Sequence, residues 1–500
     1  MQLPRSSGVL LHPTSLPSRY GIGDLGGSAR YFLDRLVEAG QRWWQMLPLN
    51  PPGYAGSPYS ATSAFAGNLH LLDLDGLALW GWLTQAELDE MAAHCAELPK
   101  DRLVMDVVFP AKRGLVERAF QRWQSDDKGT KADFQRFCHQ EGWWLEEFAL
   151  FAVLKAEYKD KEWREWKREH LQHDSKALQR FKTSHAARLE AERFFQWLFF
   201  TQWGSLHKEA QKRGIRLIGD IPIFVAMDSA DAWASRELFR LDKNGQADVV
   251  AGVPPDYFSK LGQKWGNPLY RWDIHQKTKY KWWVSRIQKS LEMTDMIRID
   301  HFRGFDEYWA IPAEKPDARI GEWRRGPGDD FFNAIREELG DIACIAEDLG
   351  DITSSVLALR DRHHLPGMKI LQFAFNGDPN HPFLPHTYPE HCVAYTGTHD
   401  NDTTQGWYNE LDEMGRHHVR LYLSHPDQGI VWRMIDALLQ SRAALTIFPM
   451  QDLLELDTRA RMNIPGTTED NWLWRLTSEQ IQRHDLWQRL GVLTQKARRF

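Results

Sequence analysis

Short apolar runs recur along this chain, and most of them stop abruptly at a charged or polar residue. Eight read as strands, near residues 7–11, 42–49, 216–224, 295–301, 342–347, 368–375, 392–399 and 444–450. Helical repeats separate the later ones. Eight strands with helical connections predict a (β/α)8 TIM barrel. The stretch 50–214 is far too long for one crossover, and its second half is charged and helical in pattern, as at 159–170. The expectation is a mainly helical subdomain inserted after strand two, with that charge run as a solvated helix face. A second insertion, 226–294, follows strand three. Residues 1–500 thus read as one barrel with large, mainly helical insertions and no C-terminal β-sandwich.

The run 296–304, Met-Ile-Arg-Ile-Asp-His-Phe-Arg-Gly, carries the most chemistry. Side chains alternate along a strand, so Arg298 and Asp300 share one face while Ile297 and Ile299 take the other. A guanidinium and a carboxylate then stand together at the C-terminal rim, where barrel enzymes build their sites. The neighbouring positive charge predicts an ionised Asp300, a candidate nucleophile. By the same alternation His301 is expected to point away. Three other apolar runs end in acids: Asp220, Glu347 and Asp400.

Composition narrows the partners. A net charge of -6 gives no support for nucleic acid or an anionic membrane. The N-terminus lacks a signal-peptide pattern and no run of about 18 apolar residues occurs, so a cytoplasmic protein is expected. Cys95, Cys138, Cys344 and Cys392 show no CxxC spacing, which suggests reduced thiols. The absence of HExxH, of HxH after the first strand and of phosphate-cradling loops predicts no metal and no cofactor. Tryptophan, at 23 residues, is the outlier. Packing is its commonest use, but flat rings also stack on the apolar faces of sugars, and the excess leans towards carbohydrate.

Retaining glycosidic chemistry needs two carboxyl groups about 5–5.5 Å apart, one as nucleophile and one as acid then base. Asp300, Glu347 and Asp400 on neighbouring strands could supply the pair and a third, stabilising acid. Glu347 must stay protonated near neutral pH, and an anionic Asp300 nearby would raise its pKa. Read on residues alone, Asp220 could be structural and His399 could merely orient Asp400. Tyr257, Phe258 and Tyr54 could be loop anchors, and Asn463 could cap its turn.

The ordered set of motifs resembles the amylomaltase or disproportionating-enzyme family, the 4-α-glucanotransferases of glycoside hydrolase family 77 in the α-amylase clan. Besides the acids, the matching segments are 57–60, 252–258, 265–268, 298–304, 346–350, 398–401 and 461–467, so the resemblance spans almost the whole chain. It implies Asp300 as nucleophile, Glu347 as general acid/base and Asp400 as transition-state stabiliser. It implies Arg298, His399 and Asp220 in the donor subsite, with Tyr59 as a stacking platform. Trp265, Tyr257, Phe258 and Asn463 would border the acceptor side, and Tyr54 a secondary glucan groove. The implied partners are α-1,4-glucans and maltooligosaccharides. Transfer wins over hydrolysis where loops exclude water and hold the acceptor, and the loops around Pro254, Pro255 and Asn463 are the candidates. An amylase-type hydrolase using the same acids is the main alternative. A metal-dependent barrel hydrolase fits less well because HxH after the first strand and HExxH are missing, and a non-catalytic glucan-binding protein because all three acids are present.

Overall fold

A computed structural model describes residues 3–126, 129–255, 259–423 and 429–500 of the chain. Eight parallel strands close into a barrel: Ser6–Leu10, Trp43–Gln45, Arg216–Pro222, Met296–Asp300, Cys344–Ala346, Gly367–Ile370, Cys392–Tyr395 and Leu445–Pro449. These are the strands the apolar runs predicted, in chain order around the ring, and strand one closes it against strand eight with Ser6 opposite Leu445. Several are shorter than their runs. The run from Arg42 ends its pairing at Gln45, before a segment rich in prolines that have no N–H to donate. The run from Met368 breaks into the 3-10 turn Leu371–Ala374.

Between strands two and three stand long helices, including Met105–Gln124, Thr130–Glu157 and Ala186–Lys212. The last packs on strand three and on the first barrel helix, Gly27–Glu38. The charged run 159–170 is not a solvated helix face. It folds as turns and the short helices Trp163–Glu165 and Arg168–Leu171, with Trp163 and Trp166 buried. Trp163 Nε1 donates to the Met227 carbonyl at 2.7 Å, stapling this segment to the loop after strand three. Burial of two indoles decided the conformation there, against the surrounding charges.

The segment after strand three contributes more than helix. Strands Val249–Val253 and Gln263–Pro268 join Glu307–Pro312 and Glu322–Arg325, from beyond strand four, in a four-stranded antiparallel sheet. That sheet brackets strand four in sequence and helps wall the rim above it. Nine tryptophans are among the largest fully buried side chains, so packing is the main use of this residue here. Among the described residues no helix is long and apolar enough to cross a membrane. The four cysteines are unpaired.

Candidate active site

A cleft of about 740 Å³ opens at the C-terminal rim, and Arg298, Asp300, Glu347, His399 and Asp400 all line it. Strand register builds its centre. Strand three pairs with strand four so that Asp220 lies directly opposite Arg298. Strand four pairs with strand five so that Ile299 lies opposite Ala346, and the next step along each chain is Asp300 and Glu347. The chain continues that pairing: Glu347 N–H donates to the Ile299 carbonyl at 3.1 Å, and Phe302 N–H to the Glu347 carbonyl at 3.0 Å.

Arg298 is the hub. Its Nη1 donates to both oxygens of Asp220 at 2.9 and 2.7 Å, and its Nη2 lies 2.9 Å from Asp300 Oδ1. Asp220 is fully enclosed, and among the described residues it reaches the cleft through Arg298 and through Tyr59, whose hydroxyl donates to Asp220 Oδ2 at 2.7 Å. The Tyr59 ring stacks on His399 with centroids 5.0 Å apart and planes 14° from parallel. His399 Nε2 lies 3.4 Å from Asp400 Oδ2. Burial lowers the pKa of His399 against the pull of Asp400, which keeps the imidazole neutral.

The electrostatics correct one expectation. Arg298 does not by itself hold Asp300 ionised: burial pushes the Asp300 carboxyl up to about 8, with Arg298 opposing and Asp220, Glu347 and Asp400 adding to the rise. One guanidinium already shared with Asp220 cannot neutralise all the acids around it. Glu347 is raised too, by burial first rather than by Asp300, against Arg298 and against backbone N–H groups of Leu349 and His301. Those N–H groups donate to its oxygens at 2.9 and 2.7 Å. Asp300 and Glu347 therefore titrate as a pair that retains a proton near neutral pH.

The strand-alternation rule fails at His301. The strand ends at Asp300, and His301 adopts the left-handed conformation at φ 53°. That turn brings its ring to the cleft wall, edge-on to Trp265 with centroids 4.8 Å apart. Trp265 is itself 39% exposed and lines the cleft. Tyr54, at 76% exposure, marks the outer edge. Asn463 does not use its amide to cap its own turn: Nδ2 donates to Asp400 Oδ1 at 2.6 Å. Tyr257 and Phe258 lie outside the described residues.

Sequence reading missed Trp472 and Arg461. Trp472 sits at φ 66° and turns its ring towards Tyr59 and His399, with centroids 5.6 and 6.1 Å away. Nothing in its sequence context distinguishes it from the packing tryptophans. Arg461 belongs to a motif that was legible, but its partner, the Asp400 backbone, is 61 residues away.

The profile of glycoside hydrolase family 77, described as 4-alpha-glucanotransferase, matches residues 11–481. A 4-alpha-glucanotransferase of Thermus thermophilus is 46% identical over 490 residues, 96% of each chain. One of Streptococcus pneumoniae is 44% identical over 482 residues, 95% of this chain and 94% of that one. Among solved structures, amylomaltase from Streptococcus agalactiae in complex with acarbose superposes with a TM-score of 0.96 at 36% identity, covering 99% of both chains.

Proposed function

The chain belongs to the 4-alpha-glucanotransferase family, and from that premise we propose how its barrel rim works. The activity is transfer of an α-1,4-glucan segment from a donor to the 4-hydroxyl of an acceptor glucan or glucose. Our reading is a retaining double displacement. The Asp300 carboxylate attacks C1 of the donor while Glu347 gives its proton to the departing glycosidic oxygen. The product is a β-linked glucosyl-enzyme and a shortened glucan. Glu347, now a carboxylate, takes the proton of the acceptor 4-hydroxyl as that oxygen attacks C1 and Asp300 leaves. Two inversions leave the α configuration unchanged. Asp400 faces the positive charge that develops on the sugar ring in both steps.

One observation carries the reading. Asp300 and Glu347 extend the register that sets Ile299 opposite Ala346. Neighbouring strands run about 4.8 Å apart, close to the separation of about 5–5.5 Å that retention requires. Arg298, 2.9 Å from Asp300, favours the anion there, which leaves the shared proton to Glu347. Asp220 and Tyr59 support Arg298 from beneath, and the stacked pair of Tyr59 and His399 suits the flat face of a glucosyl ring.

For the acceptor side we assign Trp265, Asn463, Tyr257 and Phe258, with the Pro254 and Pro255 loop as the cover that keeps water from the glucosyl-enzyme. Tyr54, exposed at the rim, is assigned to an outer stretch of bound glucan. Four unpaired thiols are consistent with a cytoplasmic setting.

The test is a metal-free incubation with maltotriose, products resolved by length. The expected result is glucose with a ladder of longer maltooligosaccharides, abolished by Asp300→Asn. Glucose and maltose alone would mean hydrolysis, and the water-exclusion argument would fail. Turnover surviving in Asp300→Asn would remove Asp300 as nucleophile.

A further inference from the structure

Asp400 differs from the other acids in how it is held. Asp220 is enclosed and Asp300 is 28% exposed, and both are fixed from the strand side by Arg298. The Asp400 side chain is 41% exposed, on a turn beyond the end of strand seven, and among the described residues no arginine side chain pairs with its carboxylate. A carboxylate so placed would swing freely in water unless something else gripped it.

Each polar group of Asp400 nonetheless has a neighbour within reach. Its N–H donates to Thr398 Oγ1 at 3.3 Å, and its Oδ2 lies 3.4 Å from His399 Nε2. These two are long, and both come from its own turn. The two short bonds come from 61 and 63 residues away. Arg461 Nη2 donates to the Asp400 backbone carbonyl at 2.8 Å, and Asn463 Nδ2 donates to Oδ1 at 2.6 Å. Arg461 then closes the loop on itself: its Nε donates to the Asn463 carbonyl at 2.8 Å. One guanidinium thus fixes the Asp400 main chain and the Asn463 main chain together, which sets the Asn463 amide on the Asp400 carboxylate.

The base of this loop is anchored. Met462, between the two donors, is buried, and its carbonyl accepts from Trp472 N–H at 2.7 Å. Trp472 is the residue whose ring faces Tyr59 and His399. Beyond Asn463 the chain is exposed as far as Asp470. An acceptor-side loop and the stabilising acid are therefore one mechanical piece.

We propose that Arg461 is a positioning residue for Asp400, and that through it the 461–472 loop sets how well the transition state is stabilised as well as where the acceptor sits. The proposal rests on the role assigned to Asp400 above. A guanidinium is needed because it donates in one plane to two carbonyls at once, which a lysine ammonium on a flexible stem does poorly.

The test is steady-state kinetics on maltotriose for Arg461→Ala, Arg461→Lys and Asn463→Ala, following glucose release and longer products separately. Arg461→Ala is expected to lower kcat about tenfold or more for transfer and hydrolysis alike, with donor KM within about twofold of wild type. Arg461→Lys is expected to recover little of that loss, and added guanidinium chloride at millimolar concentration to restore part of it in Arg461→Ala. Asn463→Ala, which leaves Arg461 in place, is expected to reproduce the fall in kcat. Unchanged kcat with only a lower transfer-to-hydrolysis ratio would confine the loop to acceptor binding and overturn the proposal. A thermally destabilised Arg461→Ala with no guanidinium rescue and wild-type kcat below its melting temperature would reduce Arg461 to a structural residue. Asp400→Asn distinguishes the underlying reading: if that variant keeps wild-type turnover, the role of Asp400 itself is wrong.

Discussion

Replacing the proposed nucleophile should make this protein more stable at high pH. Asp300 and Glu347 together hold one proton up to about 8, chiefly through burial, with that proton on Glu347 because Arg298 favours the Asp300 anion. A carboxyl raised on folding contributes stability that is fully present below 3.8 and is lost as pH climbs through about 8. At about 1.36 kcal/mol per pKa unit the full loss is roughly 5–6 kcal/mol, an upper bound because the cleft admits solvent. Asn is the same shape and cannot ionise, so Asp300→Asn escapes that loss. It gives up the charge-assisted bond that Arg298 makes to the Asp300 anion while the shared proton sits on Glu347, which takes back about 1.5–3 kcal/mol at every pH above the acid range. Arg298 stays neutralised by Asp220, which holds it through two bonds. The variant should therefore match wild type near pH 5 and exceed it by about 2–4 kcal/mol near pH 9. For 500 residues the unfolding entropy is about 1 kcal/mol per kelvin, so the gain is about 2–4 °C in Tm. Calorimetric scans of both proteins at fixed rate from pH 5 to pH 9 read this directly. A Tm difference that does not change with pH, or a variant less stable at pH 9, would refute the argument that burial outweighs Arg298 across the Asp300 and Glu347 pair.

Other expectations test the remaining groups. Glu347→Gln should abolish turnover of maltotriose yet keep the first step with α-maltosyl fluoride, whose leaving group needs no proton; equal losses on both donors would remove Glu347 as general acid. Tyr59→Phe deletes the hydroxyl that donates to Asp220 at 2.7 Å, and kcat should fall about 5- to 30-fold, for a loss of about 1–2 kcal/mol, with the stacking on His399 retained. Unchanged kcat would show that Asp220 and Arg298 hold their places without it. Away from the cleft, buried Lys112 has no hydrogen-bond partner among the described residues and lies 3.9 Å from Asp24, whose carboxyl burial raises to about 6. Lys112→Met should cost about 3–5 kcal/mol at pH 8, less at pH 5 where Asp24 takes up a proton, and the double variant with Asp24→Asn should recover most of the loss. Additive losses in urea unfolding would show that the two groups do not interact.

Much of the barrel and its central acids could be read along the chain because both rest on local rules. A parallel strand buried on both faces must be apolar, so each announces itself as a run, and the strand ends carrying Asp300 and Glu347, with Asp220 two residues inside its own strand, announce the rim. Side-chain alternation put Arg298 beside Asp300, and the 2.9 Å contact follows from it. The same rule misplaced His301, because alternation stops where a strand stops and the left-handed backbone at φ 53° obeys a different geometry. The charges at 159–170 suggested an exposed helix, but the Trp163 indole found a partner in a loop 64 residues on, Trp166 packed on Trp233, and their burial prevailed. Periodicity within a window carries no trace of a partner outside it.

What the sequence by itself determined is therefore the set of strands, the acids at their ends and the family they resemble, all properties of contiguous residues. What only the tertiary structure decided is the state of those acids and the grip on them. Asp300 and Glu347 share a proton up to about 8 because burial in the cleft, and then the carboxyls of Asp220 and Asp400 beside one guanidinium, disfavour a second charge there, a sum over strands distant in sequence. Asp400 is held by Arg461 and Asn463 because chain closure brings the 461–472 loop over strand seven. Charge interactions and hydrogen bonds depend on distance in space and on the solvent left between the groups, and those two quantities exist only once the barrel has closed.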